Sequence, residues 1–246
     1  MTAKSRLLFF ACAIFSCWLL AGLVVLGQEK KDQDPKTQEK NKPEYKAPPL
    51  KPITEPLPAV FGKPAPESVD DLKAIEDHVA KIVEKVSPAV VSVRVGASSG
   101  SGVIVSKDGY VLTAGHVSGT VNRDVTIYFH SGKTAKGKTL GGNHGIDSGL
   151  IKITTEGDWP CAEMGDSAKM EKGAWCLVIA HHGGFKPGRT PPVRLGRLLN
   201  NDIKKSTLTT DAVLVGGDSG GPLFDMHGRV VGINSQIGRA SCRERV

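Results

Sequence analysis

Residues 216–223 read Gly216-Gly217-Asp218-Ser219-Gly220-Gly221-Pro222-Leu223, a turn in which glycines flank one serine on both sides. A second motif, Thr113-Ala114-Gly115-His116-Val117, lies about 100 residues earlier. A catalytic serine needs a tight turn whose backbone N–H groups point at the substrate carbonyl, and residues that carry a Cβ resist such a conformation. The two motifs together predict a serine nucleophile with a histidine base, and therefore an enzyme that catalyses acyl transfer.

His116 is the predicted general base for Ser219. A serine hydroxyl is a poor nucleophile at neutral pH, so it needs a base within hydrogen-bond reach and a third group that holds the base in one tautomer. His116 follows the predicted strand 110–113 directly, which suits rigid presentation of its ring. The other histidines lie on the predicted first helix or in predicted loops and turns: His78, His130, His144, His181, His182 and His227.

Asp147 is the predicted third group. The stretch Asp147-Ser148-Gly149-Leu150-Ile151-Lys152-Ile153 places a carboxylate immediately before a buried strand. Asp124 and Asp158 are weaker alternatives, because each sits in a polar turn that no comparable apolar strand follows. The predicted order of the catalytic groups along the chain is therefore His, Asp, Ser.

The backbone N–H groups of Gly217 and Ser219 are predicted to form the oxyanion hole, since they lie two positions apart and can converge on one oxygen. Asp218, between them, is interpreted as a turn residue that binds nearby amides. A second Gly-Asp-Ser occurs at residues 165–167, but it has no flanking glycines and is interpreted as a loop.

Short β-rich runs dominate the chain after one predicted helix. The helix begins with Ser68-Val69-Asp70-Asp71, a capping box, and continues with apolar residues at helical spacing until Pro88. Strands are predicted at 89–95, 102–106, 110–113, 125–129, 150–153, 175–180, 208–210 and 230–234, bounded by Gly, Asp and Asn turns. No helical crossover fits between them, so the sequence predicts an all-β barrel or sandwich rather than an α/β sheet.

The N-terminal 67 residues carry targeting and tethering features. Lys4 and Arg6 precede an apolar run at 7–26, and Gly27 follows it, which is the pattern of a secretory signal peptide over 1–27. The run is long enough to span a bilayer, so an uncleaved membrane anchor is the alternative, and both place the domain outside the cytoplasm. Residues 28–67, rich in Lys, Glu, Gln and Pro, are predicted to be a disordered linker.

The last ten residues, 237–246, depart from the pattern before them and read as a translated sequencing adapter. Without this tail and the signal, each of which carries +2, the formal net charge falls from +7 to +3, too small to indicate a nucleic-acid partner. Of the five cysteines, Cys161 and Cys176 then remain. Export would permit a disulfide, but we expect two separately buried thiols.

With these residues in place, the chain resembles the trypsin-like serine proteases, and among them the exported bacterial HtrA proteases of the DegP and DegQ type. The match runs from about residue 83 to residue 236. It is carried by 83–91, by 100–104 through to His116-Val117, by the strand after Asp147, and by Thr210-Asp211-Ala212 leading to Gly220-Gly221-Pro222-Leu223. The resemblance implies a chymotrypsin-like fold of two six-stranded antiparallel β-barrels over 68–236, incomplete at its C-terminal end.

The resemblance also implies a periplasmic or extracellular serine endopeptidase that cleaves exported or misfolded proteins through His116, Asp147 and Ser219. It implies polypeptide substrates, no metal or organic cofactor, a homo-oligomer that is commonly a trimer, and often a C-terminal PDZ domain. Val213, six residues before Ser219, corresponds to the floor of the substrate pocket, and its apolar side chain predicts cleavage after small or medium aliphatic residues. The alternatives are a catalytically inactive binding protein on the same fold and an esterase built on Ser167.

Four features depart from the family pattern. Asp218 stands where members usually carry Asn, and Ser148-Gly149 stands where they usually carry Leu-Ala. The loop at 180–184 lacks the usual proline, and the tail at 237–246 replaces a further strand and helix. In digestive relatives the acid before the serine pairs with a freed N-terminus. No such activation site is visible here, so that role is not assigned to Asp218.

Overall fold

The structure is a computed structural model that describes residues 45–46, 53, 55–236 and 241–243. The predicted signal peptide or anchor at 1–27 lies outside the described residues, as does most of the predicted linker. Among the helices that are described, none has the length and hydropathy of a membrane span.

Helix α1 (Val69–Val86) is the first long element, as the sequence predicts. Its N-cap is Ser68, whose Oγ accepts a hydrogen bond from the backbone N–H of Asp71 at 3.1 Å. The predicted capping box is only half formed, because the Asp71 carboxylate accepts from the N–H of Glu67 and not from that of Ser68. The helix ends in a 3-10 turn, Ser87–Ala89, that contains the predicted proline stop.

Six antiparallel strands form a first closed barrel. A short strand precedes them, β1 (Tyr45–Lys46), and the barrel strands are β2 (Val90–Val95), β3 (Ser98–Ile104), β4 (Tyr110–Ala114), β5 (Asp124–Phe129), β6 (Thr134–Asn143) and β7 (Ser148–Ile153). Their order around the barrel is β2-β3-β4-β7-β6-β5. A single helical turn, α2 (Gly115–Ser118), follows β4, and β8 (Gly157–Asp158) pairs in parallel with β1.

A second closed barrel follows along the chain. Its strands are β9 (Trp175–Ile179), β10 (Val193–Asp202), β11 (Thr207–Thr210), β12 (Pro222–Phe224), β13 (Val230–Gln236) and β14 (Ser241–Arg243). The order around the barrel is β10-β11-β14-β13-β12-β9, and all of its pairings are antiparallel. The expected chymotrypsin-like architecture of two six-stranded barrels is confirmed.

Strands β6, β10 and β12 are absent from the sequence prediction. The first two are ten residues long and bend at register shifts, between Thr139 and Gly141 in β6 and between Leu198 and Asn200 in β10. Both contain glycine together with polar residues of low β-propensity, and β12 has only three residues. β14 is built from the tail that the sequence analysis assigns to an adapter, and that assignment stays a prediction.

Each barrel encloses its own apolar core, and a third cluster lies between α1 and the barrels. Successive side chains of β9 point to opposite faces of the strand, so β9 contributes to two of these clusters. Cys176 and Val178 point into the second barrel, whereas Leu177 and Ile179 join the cluster that also contains Ile82 of α1. All of these side chains are fully buried, so α1 is part of the folded domain rather than an appendage.

The folded domain starts earlier than residue 68, where the sequence places the end of the linker. A 3-10 turn, Ala59–Gly62, buries Val60 and Phe61 against the α1 cluster. The ring of Phe61 meets that of Trp175 edge-on at a centroid distance of 5.9 Å. Burial of these two side chains helps to offset the entropy of ordering the segment, and the Arg197 guanidinium also donates to the carbonyl oxygens of Lys63 and Pro64.

Candidate active site

His116 and Asp147 form a paired imidazole and carboxylate in the first barrel. His116 lies on the turn α2, and its Nδ1 is 2.9 Å from Oδ2 and 3.1 Å from Oδ1 of Asp147. The backbone N–H of His116 also donates to Oδ1 of Asp147 at 2.9 Å. Gly115 lets the two segments approach, since a Cβ there would lie 3.0 Å from the carbonyl oxygen of Ser148. The carboxylate thus fixes both the ring and the backbone of His116, and it leaves Nε2 as the ring nitrogen that faces away.

Asp147 is held in an unusual backbone conformation, with φ at 56°, on the turn that leads into β7. Burial by itself would raise the pKa of its carboxyl group. Hydrogen bonds from Ser235 Oγ at 2.6 Å, from the backbone N–H of His116 and from the His116 ring outweigh burial, so the pKa of Asp147 lies below its ordinary value. The group is therefore a carboxylate at neutral pH, ready to stabilise an imidazolium.

Ser219 lies on a glycine turn between β11 and β12. Gly217 and Gly220 have φ values of 94° and 85°, which glycine adopts without strain. A Cβ on Gly220 would lie 2.2 Å from the Oγ1 of Thr113, just before α2. Gly217 and Gly220 are thus required by the backbone of this turn, and Gly220 is also required by its contact with the first barrel.

Gly100 separates the serine turn from the histidine turn. A Cβ at this position would lie 2.8 Å from the carbonyl oxygen of Ser219 and 2.8 Å from a methyl carbon of Val117. The N–H of Ser101 donates to the same Ser219 oxygen at 2.8 Å. The structure therefore brings Ser219 of the second barrel beside α2 of the first, where His116 stands.

The peptide groups around Ser219 are oriented by their carbonyl oxygens. The oxygen of Gly216 accepts from Gly183 N at 2.8 Å, and that of Asp218 accepts from Gly221 N at 2.9 Å. In a trans peptide the N–H points opposite to the C=O, so the N–H groups of Gly217 and Ser219 point away from these partners. Neither N–H donates a hydrogen bond within the described part of the chain. They are the two groups that the sequence predicts for the oxyanion hole.

Asp218 is fully buried and carries a charge contact that sequence reasoning missed. Its Oδ2 accepts from the N–H of Val215 at 2.9 Å, which agrees with the predicted role as a turn residue. The same oxygen lies 3.0 Å from Nη1 of Arg194, at the start of β10. At this position, where Asn is usual, the charged Asp218 therefore has a cationic partner. No sequence motif near Asp218 indicates that this partner is Arg194.

The loop that lacks the usual proline is held by other means. Gly184 N donates to the oxygen of His181 at 2.8 Å, and the guanidinium of Arg189 donates to the carbonyl oxygens of His182 and Gly184. Ser101 links this loop to the serine turn, because its Oγ accepts from the N–H of His181 and donates to the oxygen of Gly217, each at 2.8 Å. The loop and the oxyanion turn are therefore one hydrogen-bonded unit.

The departure at Ser148-Gly149 also has a structural reason. A Cβ on Gly149 would lie 2.3 Å from the Oγ of Ser118, the last residue of α2. That hydroxyl is buried and donates to the carbonyl oxygens of Gly115 and Gly141. Ser118 thus occupies the space that a side chain at 149 would fill, and the geometry of Asp147 is retained.

The remaining sequence candidates lie apart from this constellation. Val213 is 67% exposed, and its role in a substrate pocket stays a prediction. Ser167 is buried in a 3-10 turn that Asp166 caps, as expected for a loop. Asp124 is the first residue of β5 rather than part of a turn, and at the surface it pairs with Lys138.

The two cysteines of the folded domain are free thiols. Cys161 is half-buried, whereas Cys176 is buried, and burial raises the pKa of Cys176 to about 11. Within the described residues, no cluster of three or more His, Cys, Asp and Glu side chains could hold a metal ion.

A groove of about 310 Å³ opens beside the oxyanion turn. It is lined by Gly183 and Gly184 on one side and by residues of the first barrel, among them Arg94 and Tyr128, on the other. The ring of Phe185 stacks on that of Tyr128 at 5.2 Å and closes one end. His116, Asp147 and Ser219 do not line this groove, and the side chain of His116 is 51% accessible.

Comparison with known proteins places the chain among peptidases. Residues 100–233 match the trypsin-like peptidase domain. A probable periplasmic serine endoprotease, DegP-like, from Pseudomonas putida is 38% identical over 146 residues, which is 58% of this chain and 30% of that protein. A protein of the same description from a Marinomonas species is 39% identical over 143 residues, 57% of this chain and 30% of its own length. The chain thus spans about 30% of the length of these curated relatives.

Solved structures give the same result for the fold. The HtrA-type protease AlgW with tripeptide superposes with a TM-score of 0.57 at 26% identity, over 67% of this chain and 59% of that one. The crystal structure of Deg5 superposes with a TM-score of 0.59 at 24% identity, over 69% of this chain and 90% of that one.

Proposed function

Because this chain belongs to the family of trypsin-like peptidases, we propose that it is a serine endopeptidase of the HtrA type, with His116, Asp147 and Ser219 as its catalytic triad. The resemblance to HtrA proteases predicted from the sequence is confirmed by the relatives and structures named above. One observation carries the proposal: the Asp147 carboxylate holds Nδ1 of His116 at 2.9 Å, beside the glycine turn that presents Ser219.

The proposed reaction proceeds through an acyl-enzyme. Oγ of Ser219 attacks the scissile carbonyl carbon while Nε2 of His116 takes the hydroxyl proton, and Asp147 stabilises the resulting imidazolium. The N–H groups of Gly217 and Ser219 stabilise the negative oxygen of the tetrahedral intermediate. His116 then returns the proton to the leaving amine as the C–N bond breaks. A water molecule, deprotonated by the same ring, hydrolyses the ester and restores Ser219.

Polypeptides are the proposed substrate class, in particular exported or misfolded proteins. The relatives are named periplasmic endoproteases, which supports an exported, periplasmic location for this chain as well. The exposed side chain of His116 is accessible to an extended substrate. Cleavage after small or medium aliphatic residues, assembly as a trimer and attachment to a membrane through residues 7–26 belong to the proposal, on the strength of the sequence and the resemblance.

Hydrolysis of an unfolded protein tests the proposal. We expect the chain to cleave reduced, unfolded casein and to react covalently with a fluorophosphonate probe, and we expect Ser219→Ala to lose both reactions. Ser167→Ala is the matched control, because Ser167 lies in the other Gly-Asp-Ser and outside the site, and it should retain both.

The alternatives make different predictions for the same two variants. A binding protein on this fold would bind casein without cleaving it, whether or not Ser219 is present. An esterase that uses Ser167 would lose ester hydrolysis in Ser167→Ala and keep it in Ser219→Ala. Either result would overturn the proposal.

A further inference from the structure

Asp218 and Arg194 form an ion pair that lies directly behind the oxyanion turn. The side chain of Asp218 is 1% exposed and that of Arg194 is 20% exposed. A carboxylate removed from water at this depth is unstable unless a cation or several hydrogen bonds compensate it. Within the described residues, neither Oδ1 of Asp218 nor Nη1 of Arg194 has a hydrogen-bond partner, and the 3.0 Å contact between Nη1 and Oδ2 is the only ion pair of Asp218. The charge on Arg194 is therefore the main compensation for this carboxylate.

The position of the Asp218 carboxylate is coupled to the two N–H groups of the proposed oxyanion hole. Asp218 lies between Gly217 and Ser219, so a rotation of its backbone changes the orientation of one donor relative to the other. Its Oδ2 accepts from Val215 N, while its own N–H donates to the oxygen of Val215 at 3.1 Å. These two hydrogen bonds join Val215 to Asp218 across the turn. The bond from Val215 N depends on the position of the Asp218 carboxylate.

Arg194 approaches the turn from a rigid element. It is the second residue of β10 and pairs with Val178 in β9, whose side chain is fully buried in the second barrel. The guanidinium is thus anchored by a strand rather than by a loop. The usual family residue at 218, Asn, is uncharged and needs no such cation.

We infer that Arg194 is a positioning residue for the oxyanion turn, which acts through Asp218 and touches no substrate. The inference rests on the proposed function, because it assigns Arg194 to the same reaction. It makes positions 194 and 218 an energetically coupled pair, so that removing the charge of Arg194 alone misplaces the donors, whereas removing both charges restores a neutral, aligned turn.

A double-mutant cycle tests the coupling. Arg194→Met leaves the buried carboxylate uncompensated and should lower kcat for a peptide substrate by about 10²-fold, the size of the loss when one oxyanion donor is removed. KM should change little, because the effect is on the transition state. Adding Asp218→Asn to Arg194→Met should recover most of kcat. Arg194→Lys keeps the charge and should lose less than Arg194→Met.

The affinity for a peptide boronic acid is a second measurement, and it would not change if Arg194 only stabilised the fold. The tetrahedral adduct of the boronic acid with Ser219 places an oxygen in the oxyanion hole, so the affinity should fall with kcat in Arg194→Met and recover in the double variant. Lys172→Met, an exposed cation on the same barrel, is the control and should match the wild type in both measurements. Circular dichroism and thermal unfolding identify variants that fold.

The outcomes separate this inference from the function on which it rests. A wild-type chain without peptidase activity would overturn the proposed function. An active wild type with an unchanged Arg194→Met, or with losses that add in the double variant, would overturn the role of Arg194 alone. If Arg194→Met does not fold, Arg194→Gln takes its place in the cycle, and folding and activity regained only in the double variant support the coupling.

Discussion

His181 should make the folded protein sensitive to mild acid. Its side chain is 2% exposed beneath the oxyanion turn, and its Nε2 has no hydrogen-bond partner within the described residues. Burial is the main cause that lowers the pKa of His181 from its ordinary 6.5 to about 4. The charges of Arg189 and His130 also lower the pKa, whereas a hydrogen bond with the Val90 backbone raises it. The ring is therefore neutral in the folded protein at pH 5, whereas in the unfolded chain it is protonated.

The size of the effect follows from the two pKa values. Between pH 6.5 and about 4 the unfolded chain binds a proton at His181 that the folded protein does not, so stability falls as the pH falls through this window. At about 1.4 kcal/mol per pH unit, the loss reaches about 3 kcal/mol at pH 4 and then levels off. That is a large fraction of the stability of a typical domain.

Urea unfolding followed by tryptophan fluorescence at pH 7, 5.5 and 4 measures this loss. We compare the wild type with His181→Asn, which cannot titrate, so that the contributions of other groups cancel in the difference. The wild type should lose about 3 kcal/mol more than the variant between pH 7 and pH 4. His144→Asn, at an exposed position, should behave as the wild type does. Equal losses in wild type and His181→Asn would refute the assignment of a buried, neutral ring.

Three further predictions address the site and the core. Ser235→Ala removes a hydrogen bond to Asp147, so the pKa of the Asp147 carboxyl should rise. The value of kcat/KM should fall about tenfold, and the acid limb of the pH–rate profile should move to higher pH. A pH–rate profile that does not move would contradict this prediction. Ile82→Ala opens a cavity under α1 and should cost about 2–5 kcal/mol in chemical denaturation, against about 0.5 kcal/mol or less for Leu72→Ala, which is 55% exposed. Gly220→Ala should yield little folded enzyme in expression and circular dichroism trials, because its φ is 85° and its Cβ would lie 2.2 Å from a backbone oxygen; a fully active variant would show that the turn is not strained.

The elements predicted from the sequence are those whose information is local. A capping serine and an apolar repeat predict helix α1, and closely spaced β-branched residues predict strands such as β2 and β5. β6 and β10 pair with the strands directly before and after them in the chain, but each bends at a register shift and contains glycine and polar residues, so neither shows the apolar alternation of a strand. Their place between two paired strands of a barrel, rather than their own propensity, makes these segments strands.

The candidate site also contains residues that the sequence predicts and contacts that it does not predict. His116, Asp147 and Ser219 stand in motifs whose residues also build the local turn, so the sequence predicts them. Ser235 reaches Asp147 across 88 positions, and Arg194 reaches Asp218 from another strand. Neither has a neighbouring residue that signals its partner, so only the folded barrels reveal these contacts.

The order of the strands along the chain has a consequence for synthesis. The first barrel is made from one continuous stretch, β2 to β7, so the pairing of His116 with Asp147 can form while the ribosome is still adding the second barrel. Ser219 emerges later, and Ser235, which secures Asp147, comes almost last among the described residues. A partly synthesised chain therefore contains the paired His116 and Asp147 before Ser219 exists, so the proposed triad can assemble only after most of the described residues have been translated.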